Sequence, residues 1–136
     1  MLGLLYNGTL VTWGMNKEYQ ANIPPCCGAN ITDVSVGTNF AVALKGGRVY
    51  GWGSNSRGQV TIPLAAQKDV VAISSGYAHT LALKSNGSLV CWGNNAEKQC
   101  NIPKTAIGVT QAVGGQDFSL ALLKTGKVIG WGSNRL

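Results

Sequence analysis

The stretch Gly76-Tyr-Ala-His-Thr-Leu-Ala-Leu-Lys-Ser-Asn-Gly-Ser-Leu-Val-Cys-Trp-Gly-Asn-Asn95 carries the pattern that decides the fold of this chain. Its Trp-Gly pair recurs along the 136 residues at spacings of 39, 40 and 39. The four pairs begin at Trp13, Trp52, Trp92 and Trp131. A fixed period of this length indicates that one supersecondary unit has been copied along the chain.

The repeat extends well beyond the Trp-Gly pair. An Asn follows each Trp by three residues, and a Gln follows it by seven in three copies, at Gln20, Gln59 and Gln99. An Ile-Pro pair closes the same three copies, at Ile23-Pro24, Ile62-Pro63 and Ile102-Pro103. The copied unit is therefore about 40 residues long and has a defined beginning and end.

Each copy divides into four short runs separated by turn residues, which in the middle copy are roughly 70–74, 80–84, 88–92 and 99–103. The runs alternate and are rich in β-branched residues, as strands are. Asn86-Gly87 favours a two-residue hairpin between the second and third runs. We predict an all-β fold in which each copy is a four-stranded antiparallel propeller blade. The four Trp residues are predicted to wedge between blades, and the following Gly to allow close backbone approach.

The copies divide the chain, as one domain over 1–136, into units of about 1–28, 29–67, 68–107 and 108–136. The first unit lacks an opening strand and the last lacks a closing strand, so we predict two full and two partial blades. Open blade faces and unpaired strand edges predict self-association or cover by further blades. Two arrangements stay open: a segment of a longer propeller, or two chains that close one ring.

The middle copy resembles the regulator of chromosome condensation repeat in the pairs His79-Thr80, Ala82-Leu83 and Trp92-Gly93, and in Asn95 and Gln99. Its short period and Ile-Pro ending are similar to compact bacterial members, among them β-lactamase inhibitory protein II. The resemblance implies that the chain forms about half of a ring of typically seven blades. It also implies propeller loops that cover a partner protein, and it favours a bacterial extracellular or cell-surface location.

The residues needed for catalysis are nearly absent from the sequence. His79 is the only histidine, and the five acidic residues occupy unrelated repeat positions. No His-Glu-x-x-His, Gly-x-Ser-x-Gly or phosphate-binding glycine loop is present. We therefore expect no enzyme activity, no cofactor and no metal site, with His79 as a packed structural ring.

Cys91 and Cys100 flank the predicted turn between the third and fourth strands. If those strands pair about Asn95 and Ala96, the two cysteines lie opposite each other, near the distance that a disulfide needs. A bond is expected in an oxidising compartment, and two small buried apolar side chains are the alternative. Cys26-Cys27 is a vicinal pair that fits an exposed loop or a bridge to another chain.

Alternating strands divide the loops between the two ends of the blades. The basic face is the end that carries the turns between the second and third strands and the connectors between blades. It collects Lys45, Arg48, Lys68, Lys84, Lys104, Lys124 and Lys127 against Asp33 and Asp69, and so holds most of the net charge of +6. Lys45, Lys84 and Lys124 recur near one repeat position, which predicts an arc of cations that suits an anionic partner or a solubilising rim.

The loop face is the opposite end, with the loops between the first and second strands and between the third and fourth. It carries Tyr19, Arg57 and Tyr77, the residue types that anchor protein interfaces. We predict a non-catalytic protein-binding scaffold. A structural subunit of a larger extracellular or multi-subunit assembly is one alternative, and a polyanion binder (glycan or nucleic acid) that uses the basic face is another. Neither a membrane span nor a signal peptide is expected from the sequence.

Overall fold

The computed structural model of the chain describes residues 2–4, 8–12 and 30–134. Within these ranges it contains strands and one 3-10 helix, Leu64–Ala66, which lies between β5 and β6. The strands are β1 (Leu2–Leu4), β2 (Leu10–Thr12), β3 (Asp33–Val36), β4 (Phe40–Lys45), β5 (Arg48–Gly53), β6 (Val70–Ser75), β7 (His79–Lys84), β8 (Leu89–Gly93), β9 (Val109–Gly114), β10 (Phe118–Leu123) and β11 (Val128–Gly132).

The strands form four antiparallel sheets in chain order, which we call blades 1 to 4. Blade 1 is β1–β2, blade 2 is β3–β4–β5, blade 3 is β6–β7–β8 and blade 4 is β9–β10–β11. The β7–β8 connection differs from the predicted two-residue Asn-Gly hairpin: the Gly87 N–H donates to the Lys84 carbonyl at 3.0 Å, so the turn is centred on Ser85 and Asn86, and only Gly87 has a positive φ, of +84°. The prediction of an all-β propeller with antiparallel blades is confirmed, and the boundaries of the copies stay a prediction.

Blades 2 and 3 differ from the sequence prediction in having three strands and no fourth. Residues 59–63 and 99–103 form turns and irregular chain. The Asn that follows each Trp explains this, because Asn55 and Asn95 accept the backbone N–H of Val60 and Cys100 at 2.9 and 2.8 Å. These side chains replace the strand partner that the segment would otherwise need.

Each blade packs on the next through the apolar faces of its strands. Phe40, Val42 and Leu44 of blade 2 share one buried cluster with Ile73 and Trp92 of blade 3. The first strands are also joined by side chains: the Ser75 N–H donates to Ser35 Oγ at 2.8 Å, and the Gly114 N–H donates to Ser74 Oγ at 3.1 Å. Apolar burial and these polar bonds repeat from blade to blade, as in other repeat proteins.

The two residues of the Trp-Gly pair act in different places: the Trp bonds to the preceding blade, and the Gly allows a close backbone approach within its own blade. The Trp92 indole N–H donates to the Gln59 carbonyl of the preceding blade at 2.9 Å, and Trp131 makes the same bond to Gln99 at 2.8 Å. Gly93 has φ +105°, and a Cβ there would lie 2.5 Å from the Ala78 oxygen. The predicted close approach is confirmed, because no other residue has space there. Trp52 is buried between blades 1 and 2, and Trp13 lies outside the described residues.

Candidate functional site

The loop face is assembled by one backbone hydrogen bond in each of blades 2 to 4. The chain that follows the third strand donates to the loop between the first two strands: Ser54 to Asn39 at 2.7 Å, Asn94 to Ala78 at 2.9 Å and Ser133 to Asp117 at 2.8 Å. The two kinds of loop therefore meet at the same end of every described three-stranded blade. This arrangement gives the loop face a fixed framework of paired loops.

Tyr77 lies in the middle of this framework and is held from both sides. Its carbonyl accepts the Thr38 N–H of blade 2 at 3.1 Å, and its own N–H donates to the Gly115 carbonyl of blade 4 at 3.3 Å. The side chain remains 53% exposed. A Tyr with a fixed backbone and an exposed ring loses little conformational entropy on binding, which suits an interface anchor.

Arg57 lies at the tip of the loop that follows β5. Its backbone N–H donates to the side-chain oxygen of Gln59 at 2.8 Å, while its own side chain is exposed. Gln59 is buried, and its carbonyl binds Trp92. The loop tip is thus tied to the contact between blades. The third residue predicted for the loop face, Tyr19, lies outside the described residues.

The basic face lies at the other end of the blades, so the structure does not bring its lysines near Tyr77. The turns of one blade bond there to the start of the next, with the Val70 N–H donating to the Gly47 carbonyl and the Val109 N–H to the Gly87 carbonyl, both at 3.0 Å. Five basic side chains are exposed at this end: Arg48, Lys68, Lys104, Lys124 and Lys127. The Arg48 guanidinium lies 5.3 Å from the centre of the Tyr50 ring.

Lys84 differs from Lys124 within the predicted arc. Its ammonium donates to the Ala65 carbonyl and, at 2.6 Å, to the Lys68 carbonyl, both in the connector between blades 2 and 3. The Lys84 side chain is half-buried, as is Lys45, whereas Lys124 is exposed. Lys84 therefore fastens a connector, and the arc is not three equivalent exposed cations.

His79 is fully buried between blades 3 and 4. Its Nε2 lies 3.1 Å from Ser119 Oγ, and that hydroxyl donates to the Gln99 carbonyl at 2.8 Å. Because the hydroxyl hydrogen is used on Gln99, Nε2 carries the proton and donates to Ser119. Burial lowers the pKa of His79, and the backbone of Phe118 and the charge of Asp117 oppose this shift.

The arrangement around His79 is suited to packing rather than to chemistry. The Ser119 hydroxyl is buried and points its hydrogen at a carbonyl, so His79 does not activate it as a nucleophile. Gly76 provides the space for the ring, because a Cβ at Gly76 would lie 2.2 Å from His79 Cε1. Among the described residues, no three His, Cys, Asp or Glu side chains lie close enough to hold a metal ion.

Cys91 and Cys100 form a disulfide in the structure, with 2.08 Å between the sulfur atoms and 5.1 Å between the Cα atoms. The predicted pairing is confirmed although residues 99–103 are not a strand. The turn held by Asn95 returns the chain to β8 and places the two cysteines together. Cys26 and Cys27 lie outside the described residues.

Consecutive antiparallel blades, with a Trp bonded to a buried Gln carbonyl at the contact between blades 2 and 3 and again between blades 3 and 4, define part of a β-propeller. The model of the regulator of chromosome condensation (RCC1) repeat matches residues 31–59, 70–99 and 109–136, more than half of the chain. The chain therefore belongs to the RCC1 repeat family. No curated protein sequence matches it. No helix in the described part of the chain has the length and apolar character of a membrane crossing.

Three solved structures are examples of proteins that share this fold. Prp20p from Saccharomyces cerevisiae, described with its binding to Gsp1p and histones, has a TM-score of 0.78 and 19% identity over 96% of this chain and 42% of its own. The ectodomain of the Physcomitrella patens receptor kinase CR4 has a TM-score of 0.73 and 24% identity over 96% and 38%. Human WBSCR16 has a TM-score of 0.64 and 24% identity over 96% and 46%. The chain spans less than half the length of each.

Proposed function

We propose that this chain is a non-catalytic scaffold that binds a protein through its loop face. Exposed Tyr77, with its backbone held between blades 2 and 4, is the observation that carries the proposal. Arg57 supplies a second exposed anchor on a loop that is fixed through Gln59. Tyr and Arg dominate the energetic centres of protein interfaces, and rigid presentation reduces the entropy lost on binding.

The structural neighbours support a protein partner in general terms. The description of Prp20p names Gsp1p and histones, and a second structure of yeast RCC1 (Prp20) holds Kap60. Prp20p is thus described with proteins of different kinds. The identity below 25% carries only the fold, so the partner of this chain is proposed by its chemistry alone: a protein surface with a pocket for an aromatic ring.

The basic face supports a second candidate, the binding of a polyanion such as a glycan or a nucleic acid. Five of its cations are exposed, whereas the carboxylate of Asp33 already accepts the backbone N–H groups of Val34 and Ile73. Asp69 is the other carboxylate at this end and is exposed, so the five exposed cations outnumber the two carboxylates and the net charge there is positive. Binding of this kind weakens steeply with salt, which distinguishes it from binding at the loop face.

Affinity capture with three matched chains tests the proposal. They are the natural chain, the loop-face variant Arg57→Ala/Tyr77→Ala and the basic-face variant Lys124→Glu/Lys127→Glu. All four positions are exposed, so both variants should fold, and thermal unfolding checks this. A partner that docks on the loop face should lose about 30-fold or more in affinity with the first variant and little with the second.

The opposite ranking would contradict the proposal. A partner that keeps its affinity for Arg57→Ala/Tyr77→Ala but loses it for Lys124→Glu/Lys127→Glu docks on the basic face. Recovery of glycan or nucleic acid alone, with a steep salt dependence, would support the polyanion candidate in its place.

A further inference from the structure

The connectors between blades carry the two most exposed large aliphatic side chains in the described part of the chain. Leu64, between blades 2 and 3, is 83% exposed, and Ile107, between blades 3 and 4, is 74% exposed. Both connectors lie at the basic face, because each leads into the first strand of the next blade. The most exposed aliphatic side chains and the exposed cations therefore share one end of the molecule.

Each connector packs against the blades through an alanine at the same repeat position. Ala66 and Ala106 are buried, and their backbone N–H groups donate to the carbonyls of Pro63 and Pro103, both at 3.0 Å. The small side chain thus faces the protein while the large aliphatic residue of the same turn faces solvent. The outward position of that residue is built into a hydrogen-bonded turn.

The first connector places positive charge beside Leu64. The Lys84 ammonium donates to the carbonyl of Ala65, the residue after Leu64, and to the carbonyl of Lys68 at 2.6 Å. The Lys68 side chain itself is exposed. One ammonium is therefore fixed next to the exposed leucine, and a second extends from the same connector into solvent.

The second connector repeats this combination around Ile107 with different residues. Lys104 is exposed three residues before it. The Lys124 N–H donates to the carbonyl of Gly108, the next residue, at 2.8 Å. The Lys124 side chain lies along the same residue, since a Cβ at Gly108 would be 3.1 Å from Lys124 Cε. Each connector thus joins one exposed aliphatic side chain to two lysines.

This combination fits an anionic lipid surface better than a soluble polyanion. Cations are attracted to acidic head groups, and adjacent apolar side chains gain free energy by entering the boundary with the acyl chains. A glycan or a nucleic acid backbone offers no apolar phase for Leu64 and Ile107. A single exposed leucine is ordinary in a soluble protein, but here two such residues coincide with an excess of exposed cations over the exposed Asp69.

We propose that the basic face docks on the surface of a bilayer that contains anionic lipid. Leu64 and Ile107 enter the boundary between head groups and acyl chains, and the exposed lysines contact the lipid phosphates. The loop face then points away from the bilayer and leaves Tyr77 accessible. The docking goes beyond the proposed protein-binding function and uses none of the loop-face residues.

Vesicle flotation with three chains tests the proposal. They are the natural chain, the apolar variant Leu64→Ser/Ile107→Ser and the control Val36→Ser, which removes an exposed aliphatic side chain at the opposite end of the blades. All three positions are exposed, so the variants should fold, and thermal unfolding checks this. The vesicles contain phosphatidylcholine alone or with about one third phosphatidylglycerol.

We expect the natural chain to bind the anionic vesicles about tenfold or more tightly than the neutral ones. The apolar variant should lose about tenfold or more in affinity for the anionic vesicles, and Val36→Ser should lose little. Failure of the folded natural chain to bind them would overturn the proposal. Equal binding by the apolar variant would also overturn it, because charge alone would then account for the binding.

Two further results separate this site from the other candidates. Retention of heparin or DNA by a chain that does not bind the vesicles would overturn the proposal and favour a soluble polyanion. Tyr77→Ala should leave vesicle binding unchanged, whereas it should weaken the capture of a protein partner. The two proposals can therefore fail independently.

A dye at a defined position tests the orientation directly. In a chain whose Cys26-Cys27 pair is changed to Ser, either Leu64→Cys or Thr38→Cys supplies one thiol for an environment-sensitive dye, and labelling without reductant keeps the disulfide of blade 3. We expect anionic vesicles to shift the emission to shorter wavelength at position 64 and to leave it unchanged at position 38, on the loop face. Equal shifts, or a shift at position 38 alone, would contradict the proposed orientation.

Discussion

The contact between blades 2 and 3 and the contact between blades 3 and 4 use the same repeat positions with different chemistry. The first buries Phe40 and leaves the Thr80 hydroxyl without a partner. The second places His79 and Ser119 at those positions and joins them to the Gln99 carbonyl. Both keep a Trp that donates to the Gln carbonyl of the preceding blade.

This comparison separates what the repeat requires from what it tolerates. Geometry is retained: a ring over a Gly, a small hydroxyl residue, and an indole bonded to a carbonyl. The polarity of the contacts differs, because the apolar ring of Phe40 at one contact and the hydrogen-bonded imidazole of His79 at the other fill the same space. The residues of the contacts therefore hold the scaffold, and the exposed loops are free to carry function.

The largest expected effect comes from the element that the two contacts share. Trp92→Ala should lower the free energy of unfolding by about 3–5 kcal/mol, because it leaves a buried cavity and an unpaired Gln59 carbonyl. Trp131→Ala should cost less, since Trp131 is only half-buried. Urea denaturation measures both changes. Equal losses would contradict the account of blade 4 as partly uncovered.

The next largest loss of stability is expected from removing the disulfide between Cys91 and Cys100, which lies within blade 3. Replacing Cys91 by Gly and Cys100 by Val copies the Gly51 and Val60 pair of blade 2. Loss of the cross-link should lower the free energy of unfolding by about 2–3 kcal/mol, because it frees a short loop in the unfolded chain. Denaturation with and without reductant checks this, and the double variant should no longer respond to the reductant.

The buried hydroxyls distinguish the two contacts most sharply. Ser119→Ala should lower the free energy of unfolding by about 1–3 kcal/mol, because His79 Nε2 loses its partner. Thr80→Val should be close to neutral or stabilising, because the Thr80 hydroxyl has no partner to lose. Urea denaturation of the two variants provides the comparison. A larger loss of stability for Thr80→Val than for Ser119→Ala would contradict the assignment of the hydrogen-bonded hydroxyl to Ser119 and the unpaired hydroxyl to Thr80.

A smaller effect depends on pH. The pKa of His79 in the folded chain lies below its unfolded value, so the folded state binds fewer protons. The stability contributed by neutral His79 is complete above a pH of about 6.5 and is lost as the pH falls below it toward the folded pKa. Asp117 reduces the loss by favouring the charged ring. His79→Phe, with the ring type of Phe40, should remove this part of the pH dependence in denaturation at pH 7.5 and 5.5.

The period of the sequence predicted the blades, their order and the place of the Trp-Gly pair, because a repeated unit must satisfy the same packing each time. It did not predict the loss of the fourth strand, since the competing bond of Asn55 to the Val60 backbone depends on side-chain geometry. It also did not predict that Lys84 fastens a connector. The repeat position assigns a lysine to one end of the blades. Only the folded structure shows which carbonyl oxygens lie within hydrogen-bond distance of its ammonium group.

The candidate site was predicted only in outline. Tyr77 was assigned to the loop face from strand alternation, but its two bonds to neighbouring blades come from tertiary structure. The exposure of Phe118 and Leu120 was also not predicted, because the corresponding residues of blade 2, Phe40 and Val42, are core residues. Phe40 and Val42 are buried against blade 3, which is a matter of tertiary packing that the repeat pattern alone does not show.

The affinity of a captured partner for two variants tests the central claim most directly. His79→Phe/Ser119→Thr converts the second blade contact into the chemistry of the first, while Tyr77→Ala changes only the exposed loop face. The account predicts that the converted contact keeps its affinity and that Tyr77→Ala loses about tenfold or more. Loss of affinity with the converted contact and none with Tyr77→Ala would contradict it, because function would then lie in the buried contact.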